Sequence, residues 1–126
     1  MQTILLLLFI CSMQLNAQTN SKNNFAAIKT YLVEIQQAVD YAPNSKKEKI
    51  DKLNKVIRQG TEQRRMLKQA LKNTKRKQQQ DEILRDFNLI LQAVILLKTG
   101  INDNVPLSND IDYLNDSIPI LLKKLN

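Results

Sequence analysis

Residues 83–97 read ILRDFNLILQAVILL, and from position 89 to position 97 every residue but one is apolar. A surface helix needs apolar residues on one side only, whereas apolar residues on nearly all sides predict a helix enclosed by other helices. Two acidic residues precede this stretch, and a lysine and Gly100 follow it, which predicts a helix over residues 81–99 with Gly100 as a left-handed stop. The stretch therefore predicts the central helix of an all-α bundle.

The composition of the chain also favours helices. Its 126 residues include only two glycines, three prolines and 5% aromatic residues, and they are rich in leucine, isoleucine, lysine and glutamine. These proportions argue against a β architecture, which uses more turn-forming and aromatic residues. The length is that of one domain.

The N-terminus resembles a signal peptide. An apolar run from Ile4 to Cys11 is too short to span a bilayer, and the small residue Ala17 suits the position before a cleavage site. We therefore expect residues 1–17 to be a signal peptide, residues 18–126 to be the helical domain, and the protein to be secreted or periplasmic, with no transmembrane helix left after cleavage. An uncleaved membrane anchor is the alternative.

Apolar spacings of three and four residues predict three further helices. The first covers residues 23–41 and ends before Pro43, and the second covers residues 45–76. The fourth, over residues 108–125, begins with Ser108 as its cap and is expected to kink or restart just before Pro119. With a turn over residues 77–80 before the central helix, the pattern predicts an antiparallel up-down four-helix bundle.

The second helix raises a question of continuity. Ser45 and Glu48 form a capping box at its start, and the apolar residues of the helix then follow a heptad seam that passes through Gly60 and Arg64. Either the helix supercoils and stays continuous, or it breaks at Gly60 and starts again. We favour a continuous helix in which Gly60 marks a close approach to a neighbouring helix.

Charge is concentrated on the same helix. The chain has a formal net charge of +7, yet residues 46–77 alone contain thirteen lysines and arginines against three acidic residues. Five of these cations share one face at helical spacing and form the predicted partner-binding site, namely Arg65, Lys68, Lys72, Lys75 and Arg76. Such a row of cations attracts an acidic protein or an anionic surface, although a charged stretch is often only the solvated side of a helix.

Other classes of function lack the residues that they need. The chain has no histidine, and its one cysteine lies in the predicted signal peptide, so the expected mature protein has no imidazole or thiolate for catalysis or metal binding. Residues 46–77 contain no aromatic residue on which a base could stack, which argues against nucleic acid as a partner. The acidic residues near Asp110 do not have the spacing of a calcium loop. We predict no catalytic residue, no metal and no cofactor.

The sequence therefore predicts an exported, non-catalytic interaction module, such as an envelope adaptor, an inhibitor or an immunity-type protein. Its basic second helix would bind an acidic partner. The alternative is a binder of polyanions or of anionic membrane surfaces that has no specific protein partner.

Overall fold

A computed structural model describes residues 25–74 and 77–126. The described part contains four helices and no strand: α1 over residues 25–40, α2 over Lys46–Leu71, α3 over Lys77–Asp103 and α4 over Ser108–Lys124. This confirms the all-α prediction and the number of helices. The predicted signal peptide, residues 1–17, lies outside the described residues.

The turn between α2 and α3 comes earlier than predicted. The helix ends at Leu71 rather than near residue 76, and the predicted turn over residues 77–80 already belongs to α3. Thr74 ends α2 because both its N–H and its hydroxyl donate to the carbonyl of Leu71, at 3.0 and 2.8 Å. The side-chain amide of Gln80 then donates to the Thr74 carbonyl and hydroxyl from the first turn of α3. These contacts make a turn without glycine or proline.

Gly100 is not the left-handed stop of α3, which continues to Asp103. Asn104 takes that conformation instead, with φ of 57°, and the N–H groups of Asn104 and Val105 donate to the carbonyls of Ile101 and Gly100. This is the pattern of a Schellman motif. Gly100 has a packing role, since a Cβ there would lie 2.6 Å from a methyl of Leu107 in the next loop.

The start of α4 differs from prediction, and of the kink or restart expected before Pro119 the restart is absent. Leu107 occupies the cap position and Ser108 is the first helical residue, so the helix has no side-chain cap. The helix passes through Pro119 without a restart. Pro119 is exposed, so the backbone carbonyl that loses its partner there is on the solvent side of the helix.

The helices enclose one apolar core. Helix α2 packs on α3, and α3 packs on α4. Helix α1 contacts α2 through the Tyr31 hydroxyl, which donates to the carbonyl of Val56, and contacts α4 through Gln36, whose amide donates to Asn115 at 2.8 Å. The core is formed by fully buried residues from all four helices, among them Ile28, Leu32, Ile35, Leu53, Leu67, Phe87, Ile90, Leu114, Ile118 and Leu121.

Helix α2 is continuous through Gly60, as predicted. A Cβ on Gly60 would lie 3.1 Å from a methyl of Leu91 and 3.4 Å from the hydroxyl of Tyr31, which confirms a close approach at this position. The predicted seam was partly wrong. Arg64 is exposed and donates to Asn88 of α3 at 2.8 Å, whereas the buried side of α2 carries Leu53, Val56, Gly60, Leu67, Ala70 and Leu71.

The prediction that α3 is covered on nearly all sides was also wrong. Leu89, Ile95 and Leu96 are 41%, 46% and 58% exposed, although all three belong to the continuous apolar stretch. In a ring of four helices each helix has two neighbours and keeps one outward side. Apolar residues on that side of α3 remain in contact with solvent.

Candidate basic interaction surface

The outward side of α2 is a long basic surface. Helix α2 contains nine lysines and arginines against three acidic residues, while each of the other three helices has one more acidic than basic residue in its described range. The apolar side of α2 packs in the core, so most of these cations lie on the solvent side. We define the α2 basic face by its exposed members: Lys47, Arg58, Arg65, Lys68 and Lys72.

The structure places three of the five predicted site residues on this face. Arg65, Lys68 and Lys72 are exposed and recur at spacings of three and four residues. Lys75 and Arg76 lie outside the described residues. The prediction missed Lys47 and Arg58, which extend the face toward the start of α2. Their spacing from Arg65 is the signal that could have found them, because seven residues make almost two turns and eighteen make five.

One cation of the face is neutralised by its own helix. The guanidinium of Arg65 donates to both carboxylate oxygens of Glu62, at 2.6 and 3.0 Å, and to the side chain of Gln69. The hydrogen bond and charge of Glu62 raise the pKa of Arg65, and the hydrogen bond from Arg65 lowers the pKa of Glu62. Arg65 is thereby fixed in position, but its charge is offset.

The remaining cations of the face form no ion pair within the described residues. Among the residues that the structure describes, no carboxylate oxygen lies within 4.0 Å of Lys47, Arg58, Lys68 or Lys72. Arg58 donates only to the carbonyl of Asn54 in its own helix. From Lys47 to Lys72 the face runs for about 37 Å at 1.5 Å per residue. The excess of cations over this length produces a positive field that attracts anions.

Three other lysines of α2 have structural contacts instead. The ammonium of Lys49 donates to the carbonyls of Ala38 and Val39, at 2.7 and 2.6 Å, and to that of Tyr41, and so caps the C-terminus of α1. Burial lowers the pKa of Lys49, and the charge of Asp40 opposes this shift. Lys46 donates to the carbonyl of Asn102 at the end of α3, and Lys52 lies over the ring of Tyr41.

The acidic residues are used elsewhere. The ammonium of Lys124, in the last turn of α4, donates to Asp86 at 2.7 Å and to Glu82 at 2.8 Å, and these hydrogen bonds raise the pKa of Lys124. None of the described acids of α3 or α4 forms an ion pair with α2. The positive charge of α2 is therefore not balanced across the bundle.

Open clefts lie at both ends of the bundle. One, of about 640 Å³, lies where the α1–α2 loop meets the α3–α4 loop, and Lys49 and Lys46 on its wall already bind backbone carbonyls. Another, of about 420 Å³, lies beside Phe25 and Leu125 at the opposite end. In the described part of the chain no three acidic or cysteine side chains form a group that could hold a metal ion. None of the described helices carries an apolar stretch of the length that a membrane span requires.

Comparison with known proteins returned no match: no family model, no curated protein and no solved structure is similar to this chain. The proposals below therefore rest on its geometry and charge.

Proposed function

We propose that this chain is an exported, non-catalytic interaction module whose α2 basic face binds an acidic protein partner. The observation that carries the proposal is the row of exposed cations on α2, four of which have no carboxylate within 4.0 Å in the described part of the chain: Lys47, Arg58, Lys68 and Lys72. Export is inferred from the apolar N-terminal run and Ala17, which lie outside the described residues.

We further propose that the four helices form an antiparallel, up-down bundle, which is the arrangement that leaves α2 with a free outer side. Three contacts between helix ends support it. Lys49 near the start of α2 binds the end of α1, Lys46 binds the end of α3, and Lys124 at the end of α4 binds Glu82 near the start of α3. Each helix then runs opposite to both neighbours, and α2 lies diagonally across from α4.

The character of the α2 basic face favours a protein partner over a membrane surface. A helix that binds in the membrane interface inserts an apolar side among the acyl chains. The apolar side of α2 packs in the core, and its exposed positions carry charged and polar residues only. Only electrostatic attraction to an anionic surface would remain, and that attraction falls as salt rises.

The test compares two charge-reversal variants with the same net charge. Lys68→Glu/Lys72→Glu reverses the α2 basic face, and Lys98→Glu/Lys123→Glu reverses two lysines of α3 and α4. Each purified protein is used as bait against an envelope extract, and retained proteins are then measured against it in solution at several salt concentrations. We expect the wild type and the control to retain the same acidic protein, and the α2 variant to associate about ten-fold more slowly or worse.

The outcomes separate the proposal from its rival. A stoichiometric complex that persists at raised salt, where exposed charges are screened, supports a specific protein partner. Binding to heparin or to phosphatidylglycerol vesicles that falls steeply with salt, with no protein retained, supports the polyanion alternative. If the α2 variant binds as the wild type does, the basic face is only solvated and the proposal is wrong.

A further inference from the structure

Arg65 differs from the other cations of the α2 basic face in what its side chain binds. Its guanidinium donates from Nε and Nη2 to the two carboxylate oxygens of Glu62, and from Nη1 to the side-chain oxygen of Gln69. The three lysines of the face have a single ammonium group, and the Nε of Arg58 donates to a backbone carbonyl. Of the five cations of this face, all of them among the described residues, only Arg65 holds a carboxylate.

The contact between Arg65 and Glu62 has the geometry of a carboxylate-binding site. Two hydrogen bonds, of 2.6 and 3.0 Å, join two nitrogens of the guanidinium to the two oxygens of one carboxylate. Arginine binds the carboxylates of other chains in this same two-point manner. Gln69 accepts from the third nitrogen at 3.2 Å, which fixes the orientation of the guanidinium. A carboxylate of an acidic partner would use the same donors that Glu62 occupies.

Glu62 is held only at the surface of the protein. The side chains of Glu62 and Arg65 are 61% and 60% exposed, and an exposed pair of this kind contributes little to stability. Glu62 forms no second ion pair in the described part of the chain, not even with Arg58 one turn before it. A carboxylate that arrives from solvent can therefore take its place at little cost.

We propose that Arg65 is the carboxylate-binding residue of the α2 basic face, and that Glu62 occupies it until a carboxylate of an acidic partner displaces it. This inference rests on the proposed function. Lys68 and Lys72 attract an acidic partner by charge, whereas Arg65 binds one of its carboxylates in a fixed geometry. Glu62 then makes the face more selective, because a partner has to carry enough acidic residues to outcompete a carboxylate of the same chain.

The test is a titration of labelled poly-L-glutamate, whose side chains are all carboxylates, into each purified protein at low ionic strength, followed by fluorescence anisotropy. Glu62→Gln keeps the length of the side chain and removes its charge, and it should raise the affinity about five-fold by freeing Arg65. Asp51→Asn is the matched control, since it changes the net charge equally. Asp51 is an exposed acid of α2 without an ion pair among the described residues, and its loss should raise the affinity by less than about two-fold.

A double-mutant cycle shows whether the gain comes from Arg65. In an Arg65→Gln background the carboxylate-binding group is absent, so Glu62→Gln should raise the affinity by less than about two-fold, as Asp51→Asn does. Unchanged circular dichroism shows that each variant is folded.

The outcomes separate this inference from the proposed function. Equal gains from Glu62→Gln and Asp51→Asn, or a five-fold gain that persists without Arg65, overturn the inference and leave the basic face in place. If the wild type does not bind poly-L-glutamate, or if Lys68→Glu/Lys72→Glu binds it as the wild type does, the α2 basic face is not a binding surface and both proposals are wrong.

Discussion

Lys49 joins two helices through a single ammonium group. Its ammonium binds the carbonyls of Ala38 and Val39 in the last turn of α1, which have no partner within the helix, and that of Tyr41 just after it. Lys49→Met keeps the aliphatic chain but leaves these carbonyls without a donor, and we expect it to lower the free energy of unfolding by about 1–3 kcal/mol. Urea unfolding followed by circular dichroism measures this.

Lys47→Met is the control for that loss. Lys47 is exposed, and its removal should change the free energy of unfolding by less than about 0.5 kcal/mol. Equal losses for the two variants would show that the lysine charge, and not the cap, contributes the stability.

Tyr31 makes the protein sensitive to alkali. Burial, and then the charge of Glu34, raise the pKa of Tyr31 well above its ordinary value of 10.0. Above pH 10 the unfolded chain loses the phenol proton while the folded protein keeps it, so the contribution of Tyr31 is present below pH 10 and is lost progressively above it.

Tyr31→Phe should therefore have a flatter pH dependence of stability above pH 10 than the wild type. At neutral pH it loses the hydrogen bond to the Val56 carbonyl and about 1 kcal/mol. Unfolding in urea at a series of alkaline pH values measures both effects, with Tyr113→Phe, an exposed tyrosine, as the control. If the free energies of unfolding of the wild type and of Tyr31→Phe fell in parallel as the pH rose, this role of Tyr31 would be contradicted.

Helix α3 has two unlike sides within one apolar sequence. Val94 is 1% exposed and Ile95, the next residue, is 46% exposed. Val94→Asp buries an unpaired charge and should cost more than about 4 kcal/mol, enough to unfold a small domain. Ile95→Asp should cost about 1 kcal/mol, for partial loss of apolar burial. Thermal unfolding distinguishes them, and a folded Val94→Asp would mean that the core assignment is wrong.

At the scale of the whole molecule, repulsion between the cations of α2 lowers the stability of the folded protein. Lys68 and Lys72 are like charges four residues apart, an arrangement that costs about 0.2–0.5 kcal/mol and that salt screens. We expect the wild type to become more stable as salt rises from a low concentration. Lys68→Gln/Lys72→Gln removes this repulsion and should make stability less responsive to salt, whereas Lys98→Gln/Lys123→Gln should keep the wild-type response. Chemical unfolding at several salt concentrations measures the slopes.

Residue spacing was enough to predict four helices, the loop at Pro43 and the cap at Ser45, and it favoured a continuous α2 over a break at Gly60. These features depend on contacts within a few residues, or on a periodicity of 3.6 that the chain itself displays. The turn between α2 and α3 was misplaced in the prediction. It is marked by side-chain hydrogen bonds of Thr74 and Gln80, and such common polar residues also occur inside helices.

Three members of the basic face, Arg65, Lys68 and Lys72, were found from sequence because solvated cations at helical spacing need no tertiary partner to be recognised. The sequence did not predict which of these cations form hydrogen bonds or ion pairs with the rest of the protein. Lys49 lies between Lys47 and Lys52 in sequence, yet only Lys49 caps another helix, since the end of α1 comes back beside it.

The sequence by itself determined the fold class, the number of helices and the location of the positive charge on α2, because local periodicity and composition carry all three. The tertiary structure decided which sides of the helices are covered. Apolar character makes a residue suitable for burial, but the number and position of neighbouring helices decide whether it is buried. For that reason only the structure shows that Val94 lies in the core and that Leu96 is exposed to solvent.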